Sequence, residues 1–171
     1  MAMKAMVVRE LGAGWVEEEV SLAAPRGSEV LVEVKASGLC GSDFMEMRRE
    51  VNHPPPSVLG HEIAGVVAGV GPNVTTLAVG DHVAGCLVPF CGKCRRCLSG
   101  DVGLCRSPGE VFRGAGEEAR IRDAEGRPLD QGMGIGGFAQ RALVHENMLV
   151  KLPEEMPFPQ AAVLGCGVIT G

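Results

Sequence analysis

The chain has 171 residues, of which 46% are hydrophobic and 22% charged, and a formal net charge of −5. That length supports one domain with a real core, or one domain plus a fragment of another, and the apolar content excludes a disordered chain. The acidic balance argues against nucleic acid or an anionic membrane surface as partner, because both attract clustered Lys and Arg.

The 25 glycines and 11 prolines favour a turn-rich β architecture over a helical bundle. The opening MAMKAMVVRE lacks the apolar core of a secretory signal, and IAGVVAGVG at 63–71 is too short to cross a bilayer, so the sequence predicts a cytoplasmic protein. In chain order, strands are predicted at 5–10, 15–20 and 29–36, the last from alternation of Val30, Val32 and Val34 with Glu33 and Lys35. A short helix comes next at 42–50, with Ser42 or Asp43 as N-cap, and strands resume at 65–71 and 81–88. Residues 106–136 are weakly periodic and glycine-rich, which predicts a long loop-like excursion. A strand region at 139–152 and a second helix at 158–170 complete the chain. Short strands with little helix between them predict a mainly β fold, a closed or nearly closed barrel.

Seven cysteines stand at 40, 86, 91, 94, 97, 105 and 166. Cytosolic thiols are kept reduced, so a tight cluster there holds metal more often than disulfides. Cys91, Cys94, Cys97 and Cys105 are separated by two, two and seven residues, the pattern of a closed tetrahedral structural zinc site. Bacterial ferredoxins open similarly but place three residues before a fourth cysteine followed by proline, whereas seven residues and Arg106 occur here. An iron–sulfur or redox-active cluster is the alternative. Lys93, Arg95 and Arg96 either offset the thiolate charge or are solvated loop cations.

A second constellation is spread out: Cys40 in CGSD (40–43) and His61 in GHE (60–62) each fall near a predicted strand end. Alone, such a cysteine is a small hydrophobe and such a histidine unremarked. Together with Glu62, Gly65, Gly71 and Val74, the GHEIAGVVAGVGPNV stretch closely resembles the zinc signature of the zinc-dependent alcohol dehydrogenases of the medium-chain dehydrogenase/reductase superfamily. The four-cysteine knuckle resembles that family's structural lobe, CGSD its first catalytic ligand segment, and GCGVITG its third.

The resemblance implies a GroES-like, partly closed β-barrel over 1–171, with a structural-zinc lobe at 91–105 and, at 157–171, the start of the junction to a Rossmann cofactor domain beyond Gly171. It implies two zinc ions per chain. Cys40, His61 and Cys166 would hold the catalytic one, leaving a position open for substrate oxygen, so that Lewis acidity favours hydride release to NAD or NADP. It also implies that Asp43 takes the outer imidazole hydrogen of His61, that Glu62 sits behind the zinc as an indirect or transient ligand, and that Ser42 hydrogen-bonds the substrate oxygen and passes its proton outward. Asp43 and Ser42 as helix caps, and Glu62 on the surface, are the plainer alternatives. A small alcohol or aldehyde substrate and a homo-oligomeric full-length protein are implied in the same way.

Two positions depart from the best-known members. Gly41 stands where Arg or His touches the cofactor pyrophosphate, and Met45 where a histidine ends the proton relay; release through water, or through His53 if its loop folds inward, would replace it. Leu87 and Phe138 fall where members line the alcohol pocket, although core packing explains both. His82 and His145 read as non-ligands, His82 at an exposed turn, and Cys86 as a buried packing thiol. The glycine-rich GAGEE (114–118) and GMGIGG (132–137) read as loops, not as a dinucleotide fingerprint. A non-catalytic GroES-like module and a polyol or thiol-adduct aldehyde dehydrogenase are the rival functions; Cys166 counts against the polyol enzymes.

Overall fold

The computed structural model describes residues 1–49, 52–114 and 116–171. Glu50, at the end of the predicted first helix, and Ala115, within the predicted excursion, lie outside the described residues, as does Val51. Two five-stranded sheets form the body. The first is ordered β7 (Ile121–Asp123), β2 (Val16–Leu22), β1 (Ala2–Val8), β4 (Ser57–Val58), β8 (Asp130–Gln131); the second is ordered β10 (Leu149–Lys151), β6 (His82–Gly85), β5 (Glu62–Val70), β3 (Glu29–Gly38), β9 (Arg141–His145). Among the described residues all strand pairings are antiparallel except β4 with β8.

Strand β1 alternates as a half-buried strand must, with Met3, Ala5 and Val7 inward. They meet Val20 and Leu22 of the same sheet and Leu31 and Leu143 of the other, so the main core lies between the sheets. Residues 138–140 join the two: the Met6 N–H donates to the Phe138 carbonyl at 2.7 Å, and the Val34 N–H to the Gln140 carbonyl at 3.0 Å. The barrel is thereby nearly closed, as the strand pattern predicts.

The excursion at 106–136 is a correction. It contains β7 and β8, which extend the first sheet, because Ile121 and Leu129 are buried in the main core and Arg113 and Arg120 fasten the segment to Glu29 of β3 at 2.6 and 2.7 Å. Strands of two or three residues are too short to show a period. The 139–152 region is split by a 3-10 turn at Glu146–Met148, so that β9 pairs with β3 and β10 with β6.

Among the helices, α1 (Gly41–Arg48) has Cys40, not Ser42 or Asp43, as its N-cap. A one-turn helix, α2 (Arg95–Leu98), lies inside the cysteine knuckle. The predicted single helix at 158–170 is broken: α3 (Phe158–Ala162) and α4 (Gly167–Thr170) flank Cys166, whose φ of −140° and ψ of −70° are not helical. His82 is half-buried rather than exposed, its ring centroid 4.7 Å from that of Phe158. No helix among the described residues is long and apolar enough to cross a membrane.

Candidate metal centres and active site

Cys91, Cys94, Cys97 and Cys105 converge, with their four Sγ atoms within 4.8 Å of one another. Cys94 and Cys97 sulfurs are 3.5 Å apart and those of Cys91 and Cys97 4.0 Å. A disulfide requires about 2.05 Å, whereas tetrahedral thiolates at about 2.3 Å from one ion stand about 3.8 Å apart. The cysteines are free thiols, and their spacing fits a metal. Local backbone supplies the anion stabilisation: the Cys91 and Ser107 N–H groups donate to Cys105 Sγ at 3.3 and 3.4 Å. The Arg106 N–H brings the Cys94 thiol down to about 6. Lys93 and Arg96 are paired with Glu110 and Asp101, so they are neither simply solvated nor committed to the sulfurs.

The second group comprises Cys40, His61, Glu62 and Cys166, again with ligand atoms within 4.8 Å of one another. Three elements deliver it. Cys40 lies where β3 hands over to α1, His61 immediately precedes β5, and Cys166 occupies the break between α3 and α4. The Cys40 and Cys166 sulfurs, 126 residues apart in sequence, are 4.0 Å apart in space. His61 is 1% exposed; its Nδ1 meets Asp43 Oδ1 at 3.2 Å, and its buried Nε2 has no hydrogen-bond partner among the described residues. A buried, unpaired ring nitrogen costs energy unless something accepts its lone pair, and two adjacent sulfurs make a cation the fitting occupant.

Asp43 both caps the helix and supports the histidine: its Oδ2 accepts the Cys40 N–H at 3.0 Å while Oδ1 accepts the Gly60 N–H at 3.1 Å. Glu62 is not a surface residue; it is buried, and Oε1 accepts the Gly167 N–H at 3.0 Å, tying β5 to the segment that carries Cys166. The Ser42 hydroxyl donates to Cys40 Sγ at 3.3 Å and is the foremost influence lowering that thiol, whereas burial pushes Cys166 up to about 11. Gly41 opens α1, exposed, with nothing within 4 Å of where a Cβ would stand.

Sequence reasoning did not single out Gly165, and it read Gly60 only as the opening of the GHE motif. A Cβ on Gly165 would lie 1.9 Å from the Gly85 carbonyl oxygen, so only glycine lets the chain pass beneath Cys86 to deliver Cys166. Gly60 has φ +91°, and its Cβ would lie 2.7 Å from the Phe138 nitrogen. Gly165 carries no local signal in a sequence with 25 glycines.

A separate cavity of about 660 Å³ has Leu87, Phe112, Leu129 and Met133 among its apolar walls and His53, Asp130, Arg113 and Arg120 among its polar ones. Cys40, His61 and Cys166 are not in its lining. The two are joined by the turn at 132–138, whose Gly137 and Phe138 N–H groups donate to the carbonyls of Gly60 and Leu59 at 2.7 and 2.9 Å. Leu87 faces the cavity, whereas Phe138 packs edge-on against Trp15 in the core. His53 is not free to pass a proton: Nδ1 is 2.7 Å from Asp130 Oδ2, and Nε2 accepts the Met133 N–H at 3.0 Å. His145 acts as a cap, accepting the Asn147 N–H at 3.1 Å. Cys86 is only half-buried.

Residues 26–154 match the family model described as alcohol dehydrogenase GroES-like domain. The whole chain is 37% identical to an NDMA-dependent alcohol dehydrogenase of Amycolatopsis methanolica over 173 residues, covering 46% of that protein. It is likewise 37% identical to an S-(hydroxymethyl)glutathione dehydrogenase of Paracoccus denitrificans over 176 residues, covering 47%. Among solved structures, an alcohol dehydrogenase zinc-binding domain protein from Burkholderia ambifaria superposes with a TM-score of 0.90 at 42% identity, over 98% of this chain and 46% of that one. The chain thus spans about half the length of the relatives it matches.

Proposed function

Because the chain belongs to the alcohol dehydrogenase GroES-like domain family, we propose that it is the catalytic domain of a zinc-dependent alcohol dehydrogenase, oxidising an alcohol to an aldehyde or ketone with NAD or NADP as hydride acceptor. The acceptor would be bound by a Rossmann domain to which residues 157–171 lead. The observation that carries the proposal is the convergence of Cys40, His61 and Cys166 on one point, with His61 Nε2 buried and unpaired.

In this reading Cys40, His61 and Cys166 hold the catalytic zinc, and Cys91, Cys94, Cys97 and Cys105 a structural one. Zinc at the first site supplies Lewis acidity toward the alcohol oxygen. The chain does the rest. Asp43 keeps the His61 proton on Nδ1, so that Nε2 offers its lone pair. Ser42 orients its hydroxyl at the Cys40 sulfur, from where it can exchange the proton of a substrate hydroxyl. Glu62 holds Gly167 and hence the Cys166 segment in place. With Met45 46% exposed and His53 engaged elsewhere, proton release runs through water. Gly41, at the start of α1, leaves backbone and open space for a pyrophosphate. Leu87 and Met133, in the wall of the cavity, are the candidates to receive the alcohol's side chain.

A thiol-adduct aldehyde dehydrogenase is the second reading, favoured by the 37% identity to the Paracoccus enzyme. A non-catalytic module has no use for an open Cys-His-Cys site. Cytoplasmic location and a homo-oligomeric full-length protein belong to the same proposal.

A form of the protein extended past Gly171 through the cofactor domain should oxidise benzyl alcohol or a longer aliphatic alcohol with NAD or NADP, and lose that activity to a chelator. Inactivity across a broad alcohol panel with both cofactors would overturn the proposal; preference for S-(hydroxymethyl)glutathione would select the second reading.

A further inference from the structure

We infer that His53, paired with Asp130, is a positioning residue that holds the Met133 turn in its left-handed conformation and so sets the cavity wall and the peptides presenting His61.

Met133 is the one non-glycine residue with positive φ among the described residues, at φ 51° and ψ 26°. A side chain makes that conformation unfavourable, so something must hold it. The Met133 N–H donates to His53 Nε2 at 3.0 Å. Accepting it requires a lone pair on Nε2, which puts the proton on Nδ1, facing Asp130 Oδ2 at 2.7 Å. The two partners therefore specify one neutral tautomer. The main chain that carries the ring is anchored, because the Asn52 and His53 backbone N–H groups donate to Glu46 Oε2 of α1 at 3.1 and 3.2 Å, and the His53 side chain is only 17% exposed.

Beyond Met133 the chain is tied to the candidate active site. Gln131 Nε2 donates to the Ile135 and Leu143 carbonyls at 2.9 Å, bracing the middle of the turn. Its far end donates from Gly137 and Phe138 to Gly60 and Leu59, the two residues before His61. His53 thus grips one end of a turn whose other end is bonded to the residues before His61, and Met133 and Gly134 of that turn line the cavity. Removing the Nε2 acceptor leaves the Met133 N–H unpaired in an already unfavourable conformation, and the turn relaxes into the cavity.

The turn itself is testable in this chain without any activity. Asp130 raises the His53 imidazole above its ordinary range, so the pH is taken up until the ring has lost its second proton; nitrogen NMR of the neutral ring should then show a protonated Nδ1 and a bare Nε2. The Met133 amide should exchange slowly with solvent. His53→Ala and His53→Asn should speed that exchange about five- to tenfold, the loss of one hydrogen bond. His53→Gln, whose Oε1 reaches the Nε2 position, should restore protection. Should the alanine variant fail to fold, the Asn and Gln variants carry the same comparison. A proton on Nε2, Met133 exchange unchanged in His53→Asn, or His53→Gln no better protected than His53→Asn would overturn the inference.

The consequence for substrate rests on the dehydrogenase reading. In the full-length enzyme, His53→Asn should raise KM for benzyl alcohol about tenfold more than for ethanol. Equal effects on both alcohols would remove the role in specificity. An inactive full-length protein would instead sink the dehydrogenase proposal and leave the exchange result standing.

Discussion

Asp43 and His61 meet at 3.2 Å with side chains 2% and 1% exposed, and the same carboxylate also accepts the backbone N–H groups of Cys40 and Gly60. One buried side chain therefore sets the imidazole tautomer and holds the backbone at one candidate ligand, Cys40, and at Gly60, the residue before another. Asp43→Asn should weaken metal binding at the Cys40 site about 10- to 100-fold, read by competition with a chromophoric chelator, while the four-cysteine site keeps its metal. Unchanged affinity would show that Asp43 serves only as a cap.

Metal content separates the two centres. The unaltered chain should carry two zinc ions; Cys166→Ser should lose or weaken one and leave the barrel intact. Cys97→Ser should lose the other and lower thermal stability, because the lobe 91–105 has no buried hydrophobic residue of its own to fall back on. Elemental analysis with a melting curve checks both. A single zinc in the unaltered chain, or visible iron–sulfur absorbance, would contradict the assignment.

Gly165→Ala tests the close passage beneath Cys86. With a Cβ 1.9 Å from the Gly85 oxygen, the backbone must shift. We expect a loss of about 1–3 kcal/mol in stability together with weakened metal at Cys166. Normal zinc content and an unchanged melting temperature would mean that the α3–α4 segment gives way freely.

Glu29 predicts an acid limb. It is 5% exposed; burial alone would raise its carboxyl, but hydrogen bonds from Arg113, the Arg26 N–H and Arg120 hold it at about 2, below the ordinary 4.5. A folded pKa below the unfolded one stabilises above the unfolded value and loses that contribution as pH falls, here between about 4.5 and about 2. The contribution is on the order of 3 kcal/mol. Urea unfolding of Glu29→Gln at neutral pH should show a clear loss, and its stability should fall less steeply than the parent's over that acid range. Parallel acid limbs would assign the limb to other carboxylates.

By itself the sequence determined what is local or periodic: alternating strands such as β1 and β3, and the knuckle of Cys91, Cys94, Cys97 and Cys105, whose ligands are so close along the chain that spacing alone brings them together. Cys40, His61 and Cys166 were legible only as motifs resembling a known family, since nothing local says that sulfurs 126 residues apart will meet. The tertiary structure alone decided that Asp43 serves helix and histidine together, that Glu62 grips Gly167, that short β7 and β8 lie in a loop-like excursion, and that Asp130 and Met133 close on His53 from 77 and 80 residues away. The physical reason is common to all of them. A contact of long sequence separation is stabilised by burial and pairing that exist only once the sheets have packed, so its energy leaves no period or propensity in the chain that forms it.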